Sequence, residues 1–359
     1  MRRRILLLIG LILGIFGQQL CAAIQSNASE GMQAFQRGDY AEAELYYRRA
    51  LESPQARDAT PSQRATILGN LAEVLGSQAR YKESEELFQQ AVKITETEPV
   101  NPKARALILT NLAGLYIETS RSDQAERILE TARALASKEA PESALMANIL
   151  KNLGVTYVMT GRFSRAVKPL KQALALTEKV NSPEPGQMAA ILTSLAAAYV
   201  LGKDSRNAEP LLMRSINLLN ESYGPDHPGL YNAFSNLAEI DAARREFAQA
   251  EAAFRRAMAI GRKVNGVESV AVANVSSRLA VVLTAQGRYE EARNLLQTAL
   301  RIQEQKLGPT SLYYVSTLQE LANLLRKTND IAQADSIDSR VKNIRSELLY
   351  TVPAERLLK

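Results

Sequence analysis

Apolar residues recur three and four positions apart along most of the chain, and this spacing predicts amphipathic α-helices with one buried stripe each. A longer period overlies it, because a leucine returns every 41 or 42 residues. The members of this leucine ladder are Leu71, Leu112, Leu153, Leu195, Leu237, Leu279 and Leu321. A stack of similar helical repeats requires such a ladder, because each repeat offers the same core position to its neighbour. Alternation of apolar and polar residues is scarce, so we predict no strands.

Small residues accompany the ladder at two places in each repeat. One follows the leucine, as at Ala72 and Gly154, and a second begins the next helix, as at Ala125 and Ala166. Small side chains at both places allow the two helices of a repeat to approach closely. Between them, a glycine or polar residue is expected to end the first helix, where left-handed backbone is often needed. The residues expected at this turn are Gly161, Gly202, Gly287 and Asp330.

The pattern resembles the tetratricopeptide repeat. In one repeat the residues that carry the resemblance are Leu153, Gly154, Tyr157, Gly161, Ala166, Leu170 and Ala173. The usual repeat has about 34 residues, and the longer repeat of this chain is similar to those of kinesin light chains and their bacterial relatives. The segment 223–228, with the sequence Tyr-Gly-Pro-Asp-His-Pro, resembles the inter-repeat loop of that group. The resemblance implies an all-α fold, a right-handed α-solenoid of about eight helix-turn-helix repeats with a C-terminal capping helix.

Three segments are predicted along the chain. Residues 1–23 form a signal peptide, residues 24–341 the repeat array, and residues 342–359 a capping helix and tail. The repeats are predicted near residues 24–62, 63–103, 104–144, 145–186, 187–228, 229–270, 271–312 and 313–341. The first repeat is degenerate, with Glu30 and Gly31 at its Leu-Ala position, as expected for a terminal repeat that has no preceding neighbour.

The N-terminus has the composition of an export signal. Arg2, Arg3 and Arg4 precede an apolar run from Ile5 to Phe16, and a small-residue site follows at residues 21–23, Cys-Ala-Ala. The run is too short to span a bilayer and is typical of a signal-peptide core. We expect cleavage after Ala23 and export to a bacterial periplasm or the exterior. The alternatives are an uncleaved signal that anchors the chain facing the periplasm and lipid attachment at Cys21, and we expect membrane contact only through these.

The charge of the chain does not favour nucleic acid as a partner. The formal net charge is +6, but residues 1–23 hold three basic and no acidic residues, so the remainder carries only +3. Charges of both signs are interspersed, and no run of Lys or Arg with interleaved aromatics occurs. If Cys21 leaves with the signal, no cysteine remains for a disulfide, a nucleophile or a metal site.

The chain offers little for catalysis. Its one histidine, His227, stands in the inter-repeat loop, and no second His or Cys remains to complete a metal site. We expect Asp226 and His227 to shape this turn and cap the next helix. Paired acids such as Glu85 and Glu86 are expected to be solvated near a helix N-terminus. We therefore predict no enzyme activity, no cofactor and no metal.

The resemblance also implies a binding surface, because the first helix of each tetratricopeptide repeat lines the concave face. The residue before each ladder leucine points there, and four of these seven are asparagine. An amide has donors and acceptors, so it pairs with the backbone of an extended peptide of any sequence. One turn earlier on the same face lie three more asparagines. The predicted peptide-binding residues are Asn70, Asn111, Asn148, Asn152, Asn232, Asn236, Asn274 and Arg278. The alternative for the asparagines is hydrogen bonding between neighbouring helices of the array.

The middle of this surface is apolar, with Met159 and Leu201, and its C-terminal end is charged, with Glu320, Arg326 and Lys327. The function we predict is a non-catalytic protein-interaction scaffold that binds an extended peptide or partner helix in the concave groove. The sequence does not identify the partner. The alternative is a structural assembly factor of a cell-envelope complex that acts through the convex surface and the ends of the array.

Overall fold

The computed structural model describes residues 26–35, 37, 39–53, 59–97, 101–139, 141–180 and 183–351. Within these ranges the chain is helical between short turns, and no strand occurs. Consecutive helix pairs pack in a repeating pattern, so the predicted all-α repeat fold is confirmed. The predicted signal, with Cys21, lies outside the described residues, as do the last eight residues of the predicted tail.

The helices form two compact units, residues Met1–Asn181 and Ser182–Lys359, which we call the N-terminal and C-terminal units. In the N-terminal unit, α1 includes residues 26–35, and the others are α2 (Tyr40–Glu52), α3 (Pro61–Ser77), α4 (Tyr81–Thr97), α5 (Pro102–Glu118), α6 (Ser122–Glu139), α7 (Ala144–Met159) and α8 (Phe163–Glu178). The C-terminal unit contains α9 (Pro185–Leu201), α10 (Ser205–Tyr223), α11 (Leu230–Ala243), α12 (Phe247–Asn265), α13 (Val270–Ala285), α14 (Tyr289–Leu307), α15 (Leu312–Lys327) and α16 (Ile331–Thr351).

Each odd-numbered helix is the first helix of a repeat and packs against the even-numbered second helix that follows it. First helices also contact one another, α3 with α5 and α5 with α7 in one unit, and α9 with α11 and α13 with α15 in the other. No pair of second helices makes comparable contacts in the described part of either unit. First helices therefore lie closer together than second helices, and in each unit their solvent-facing side forms the inner surface. We call it the first-helix surface.

Polar caps and prolines determine where the first helices begin. The Thr60 side chain accepts from the Gln63 amide while the Gln63 side chain accepts from the Thr60 amide, and Pro61 follows at the first helical position. Such a reciprocal cap satisfies two amides that have no partner within the helix, and proline there removes another. Asn101 before Pro102 and Ser143 before α7 each cap a helix by accepting one hydrogen bond, from the amides of Lys103 and Met146.

The ladder leucines form the spine of the core. Five are at most 4% exposed, and the other two, Leu237 and Leu321, are partly buried against the same apolar clusters. The small residues predicted beside them, from Ala72 to Ala334, are fully buried. At Gly154 the contact is tightest, because a Cβ built there would lie 2.3 Å from Cγ of Leu170. The second helix thus packs directly on the backbone of the first.

A left-handed residue ends the first helix of seven repeats, always eight positions after the ladder leucine. These residues are Ala79, Ser120, Gly161, Lys203, Arg245, Gly287 and Asn329. Gly161 and Gly287 take the left-handed backbone expected at this turn, whereas Gly202 ends its helix without it and Asp330 stands one residue beyond the left-handed Asn329. Gly202 has φ −77° and caps α9, while its neighbour Lys203 takes φ 63°. The next amide then donates to a carbonyl one turn back, as from Asp204 to Tyr199 at 2.8 Å. Because this hydrogen bond closes the turn, the left-handed residue must stand at a fixed distance from the buried leucine, whatever its side chain.

Ion pairs connect consecutive repeats at these turns. An arginine directly after the left-handed residue binds a glutamate on the second helix of the preceding repeat. The pairs are Arg80–Glu44 at 2.8 Å, Arg121–Glu85 at 2.9 Å, Arg162–Glu126 at 2.6 Å and Arg288–Glu251 at 2.7 Å. Glu85, which we expected to be solvated, also accepts a hydrogen bond from the Tyr116 hydroxyl. Since these groups are partly or fully exposed, the pairs contribute little to stability, and their main effect is on register.

Replacing a left-handed alanine by glycine should stabilise the protein. Left-handed backbone costs a residue with a Cβ about 1–2 kcal/mol, so we expect Ala79→Gly to raise the free energy of unfolding by about 0.5–1 kcal/mol after the entropy of the unfolded glycine is counted. The matched control is Ala134→Gly, at an exposed position within α6, which should lower it by about 1 kcal/mol. Urea unfolding followed by circular dichroism measures both, and two changes of the same sign would contradict the turn geometry.

Candidate functional site

The N-terminal unit carries four of the predicted peptide-binding residues. Asn70 lies on α3, Asn111 on α5, and Asn148 and Asn152 on α7, and all four are half-buried. Asn70 hydrogen-bonds the Tyr47 hydroxyl of α2. Asn148 and Asn152 make no side-chain hydrogen bond to any described residue. On this surface some amides, such as that of Asn70, are hydrogen-bonded within the fold, whereas those of Asn148 and Asn152 remain available to a ligand.

The C-terminal unit carries the other four. Asn232 and Asn236 lie on α11, and their amides have no side-chain partner among the described residues. On α13, Asn274 accepts a hydrogen bond from the Gln303 amide at 3.0 Å, and Arg278 pairs with Glu239 at 3.1 Å. Both α13 residues thus contact a neighbouring helix of the unit. This agrees with the alternative that these side chains serve contacts between helices rather than ligand binding.

Sequence reasoning missed a group of charged residues near Asn111. The Asn111 amide donates a hydrogen bond to the Glu73 carboxylate of α3 at 3.0 Å. Glu118 and Lys151 interact with Glu73 electrostatically from α5 and α7. Gly114 lies three residues after Asn111 on the same face of α5, and an added Cβ there would meet no atom within 4 Å. Three neighbouring first helices thus bring two carboxylates, an ammonium group and an amide together on this surface.

Glu73 and Glu118 are exposed and Lys151 is half-buried, but protein atoms on several sides partly desolvate each charge. Burial raises the pKa of Glu73, the negative charge of Glu118 raises it further, and Lys151 opposes both effects. Burial also raises the pKa of Glu118 and lowers the pKa of Lys151. The folded protein therefore holds partly desolvated charges on a surface that a ligand can reach, and such perturbed groups are associated with functional sites.

Helical spacing could have found this group. Glu73 stands three residues after Asn70, and Glu118 stands seven after Asn111, so each shares a helix face with a predicted asparagine. The sequence analysis followed only the positions before the ladder leucine. Extending it one and two turns forward along each first helix leads to Glu73, Gly114 and Glu118.

The described residues show no centre for metal chemistry. No group of three or more His, Cys, Asp or Glu side chains comes together in this part of the chain. Nδ1 of His227 accepts from the Gly229 amide at 3.2 Å, and the ring stacks on Tyr223 at a centroid distance of 4.6 Å. Asp226 instead binds Lys263 of α12 at 2.9 Å. His227 therefore shapes the turn before α11, while Asp226 ties the loop to the next repeat rather than capping a helix. None of the described helices is long and apolar enough to cross a bilayer.

Comparison with known proteins identifies the repeat. The sequence profile of the tetratricopeptide repeat matches residues 22–97, 104–179, 187–263 and 271–346. The comparison with curated proteins returned no match.

Solved structures of similar fold are of several kinds. BtubC (BKLC) from P. vanneervenii is 21% identical over 67% of this chain and 94% of its own, with a TM-score of 0.52. The apo quorum sensor NprR from B. thuringiensis is 12% identical over 90% of this chain and 87% of its own, with a TM-score of 0.65. A Rap protein complexed with Competence and Sporulation Factor is 12% identical over 93% of this chain and 88% of its own, with a TM-score of 0.66. Identities this low show likeness of fold alone. Together with the repeat profile, they confirm the predicted tetratricopeptide-repeat fold.

Removing the charge of Glu73 should stabilise the fold near neutral pH. The raised pKa means that the folded state favours the protonated form, so ionised Glu73 destabilises the fold above its folded pKa. This penalty vanishes as pH falls below about 4.3, the unfolded value. We expect Glu73→Gln to raise the thermal unfolding midpoint at about pH 7.5 and to have little effect at about pH 4.

The matched control is Glu83→Gln in the same unit. A hydrogen bond from Arg80 lowers the pKa of Glu83, so its ionised form stabilises the fold above the unfolded pKa, and this contribution is lost as pH falls through the folded pKa. Glu83→Gln should therefore lower the midpoint at about pH 7.5. Equal shifts of both variants would contradict the desolvation of Glu73.

Proposed function

Because the chain belongs to the tetratricopeptide repeat family, we propose that it is a non-catalytic scaffold that binds an extended peptide or partner helix on its first-helix surface. Arrays of this kind use extended concave surfaces to bind other proteins. One solved protein of similar fold, the Rap protein, was crystallised with a bound factor. The fold alone does not specify a function, so the proposal depends on the chemistry of the surface.

The observation that carries the proposal is the open space at Gly114, on the same helix face as Asn111, whose amide binds the Glu73 carboxylate. A helix interior favours alanine over glycine by about 1 kcal/mol, and no close backbone approach at Gly114 explains the missing side chain. Desolvated charges near Asn111 lower stability unless a partner satisfies them. Both features are explained if another polypeptide occupies the space.

The spacing of the amides suits an extended chain. Asn111 and Asn152 stand at the same position of neighbouring first helices, and packed helices lie about 8–10 Å apart. An extended peptide advances about 3.3 Å per residue, so one amide meets the ligand backbone about every third residue. Backbone recognition of this kind gives affinity without a strict sequence requirement.

The place of action belongs to the proposal as well. The basic and apolar segments within residues 1–23 support export to a periplasm or secretion, with membrane anchoring as the alternative. We propose that the partner is an exported protein or the exposed segment of an envelope protein.

Filling the open space should block binding while the fold is retained. Leucine is a better helix former than glycine, and a Cβ at Gly114 meets no neighbour, so Gly114→Leu should fold normally. Peptides selected from a displayed random library against the wild-type protein provide the ligands. We expect Gly114→Leu to weaken their binding about tenfold or more, equivalent to 1.4 kcal/mol, as measured by fluorescence anisotropy.

The matched control is Ala134→Leu, which enlarges an exposed residue of the second helix α6. Binding that survives Gly114→Leu but fails in Ala134→Leu would contradict the proposal and favour assembly through the opposite surface. Circular dichroism of both variants checks that helix content is unchanged.

Removing the amides tests how the ligand backbone is held. The variant with Asn111→Ala, Asn152→Ala and Asn236→Ala loses amides in both units but no apolar core contact. Since each lost hydrogen bond is worth about 0.5–1.5 kcal/mol, we expect library peptides to bind at least about tenfold more weakly, whatever their sequence. Isothermal titration calorimetry gives the affinities. An effect on one peptide sequence but not on others would indicate side-chain recognition instead.

A further inference from the structure

A histidine side chain closes the turn between α10 and α11. Nδ1 of His227 accepts a hydrogen bond from the Gly229 amide at 3.2 Å, and α11 begins at the next residue, Leu230. Only a nitrogen without a proton can accept this bond, so the ring that closes the turn is neutral. The Gly229 amide precedes the first turn of the helix and has no partner within it. The closure therefore depends on the charge state of one ring.

Packing holds the ring of His227 in place. It stacks on Tyr223 of α10, with centroids 4.6 Å and planes 21° apart. A Cβ added at Gly229 would lie 3.1 Å both from Nδ1 of His227 and from Cδ1 of Leu219, which belongs to the apolar core of this unit. Leu230, directly after the turn, is fully buried in the same core. The ring, the turn and the core thus fit closely, and a change at the ring acts on the start of α11.

A carboxylate before α9 acts on the charge of this ring. Glu184 favours a positive charge on His227 electrostatically. Its oxygens, however, accept hydrogen bonds from the Gly186 and Gln187 amides, which caps α9, and from the Tyr223 hydroxyl. Glu184 and His227 form no ion pair with each other in the described structure. Other donors therefore engage Glu184 while the ring is neutral.

The remaining charges near the turn do not balance a positive ring. Asp226 is adjacent to His227 in the chain, but its carboxylate pairs with two cations of α12, Arg256 at 3.1 Å and Lys263 at 2.9 Å. The N-terminus of α11 carries partial positive charge, which disfavours a cation beside it. A proton on Nδ1 would also face the N–H of Gly229 in place of the present hydrogen bond.

The direction of the pH effect follows from these surroundings. Burial lowers the pKa of His227, and Glu184 opposes the shift only in part. The hydrogen bond to Glu184 raises the pKa of Tyr223, so its hydroxyl stays neutral where histidine titrates. The folded state thus binds a proton at His227 less readily than the unfolded chain, in which the pKa of histidine is about 6.5. The stability contributed by the neutral ring is complete above about pH 6.5 and is lost as pH falls from there through the folded pKa.

We propose that His227 is a pH-sensitive latch on the start of α11, closed while the ring is neutral and opened by its protonation in mildly acidic solution. Opening removes the acceptor of the Gly229 amide. The Leu230 and Tyr231 amides, which donate to carbonyls of the same turn at 3.0 and 3.1 Å, are released with it. The first turn of α11 also carries Asn232, a predicted peptide-binding residue. An effect on binding rests on the proposed function, whereas the latch itself does not.

The first test measures the charge of the ring in the full chain, purified without a histidine tag. His227 is the only histidine, so the ring signals in a proton NMR titration belong to it alone. We expect its pKa in the folded protein to lie below the value of about 6.5 found for the same chain unfolded in urea. A folded pKa equal to or above the unfolded one would overturn the inference.

Two variants separate the acceptor from the charge. Asparagine offers its oxygen to the amide two residues further on and does not titrate, so His227→Asn should keep the turn closed at every pH. His227→Ala offers no acceptor and should leave it open. Hydrogen exchange of amides 229–232, corrected for intrinsic rates, reports the opening. We expect wild-type exchange at least about threefold faster at about pH 5 than at about pH 7.5, with no change in either variant, slow in His227→Asn and fast in His227→Ala.

The matched control is the start of α13 in the same unit. There the Ser269 hydroxyl, which does not titrate, accepts from the Val272 amide at 3.3 Å. Exchange of amides 270–274 in the wild type should therefore be the same at both pH values. Equal acceleration at both helix starts, or acceleration in His227→Asn like that of the wild type, would overturn the latch.

The outcome is separable from that of the proposed function, because none of these measurements uses a ligand. An unchanged start of α11 at about pH 5 would overturn the latch and leave the effect of Gly114→Leu on library peptides as it is. Loss of the Gly114→Leu effect would overturn the proposed groove, whatever the pH dependence at His227.

Discussion

The fold depends on the close approach of the two helices within each repeat. Alanine or glycine after the ladder leucine, and alanine at the start of the second helix, are fully buried wherever the structure describes them. At Gly154 there is no room even for a methyl group without movement of Leu170. Because this contact recurs with the period of the leucines, the first helices within each unit take the same rotation about their axes. Within a unit, residues at equivalent positions therefore face the same side, and the first-helix surface follows from packing.

The turns show which of two competing preferences wins. Five of the seven left-handed residues carry a Cβ, at about 1–2 kcal/mol each. Burying a leucine side chain is favourable by about 1.5–3 kcal/mol, and each repeat buries its ladder leucine together with several other apolar residues. Packing therefore sets the length of the turn, and the left-handed residue is whichever one stands eight positions after the leucine. Glycine at position 202 could not move the turn by one residue, because that would rotate α10 away from its partner.

This hierarchy explains how much of the molecule could be predicted from its sequence. The helices, the repeat and the buried small residues follow from local spacing, and all were predicted. The asparagines could be placed on first helices by the same spacing. Their partners could not, since the contact of Asn111 with Glu73 joins residues of two repeats and that of Asn274 with Gln303 joins two helices. The inter-repeat pairs, such as Arg121 with Glu85, were missed for the same reason.

The raised pKa of Glu73 and the lowered pKa of Lys151 could not be predicted from the sequence for a further reason. Desolvation depends on how closely three first helices converge on one point, and no single stretch of sequence contains that information.

Glu73 and Arg245 have one property in common. At each position, other repeats carry a residue that destabilises the folded state less. Glycine stands at the position of Arg245 in two other repeats. Gly114 and Val155 stand at the position of Glu73 in the next two first helices. Neither is needed for the helix pair to close, since those repeats close without them. At Arg245 the left-handed backbone follows from the fixed length of the turn, as it does at Lys203, so only the choice of a charged side chain lacks a structural reason.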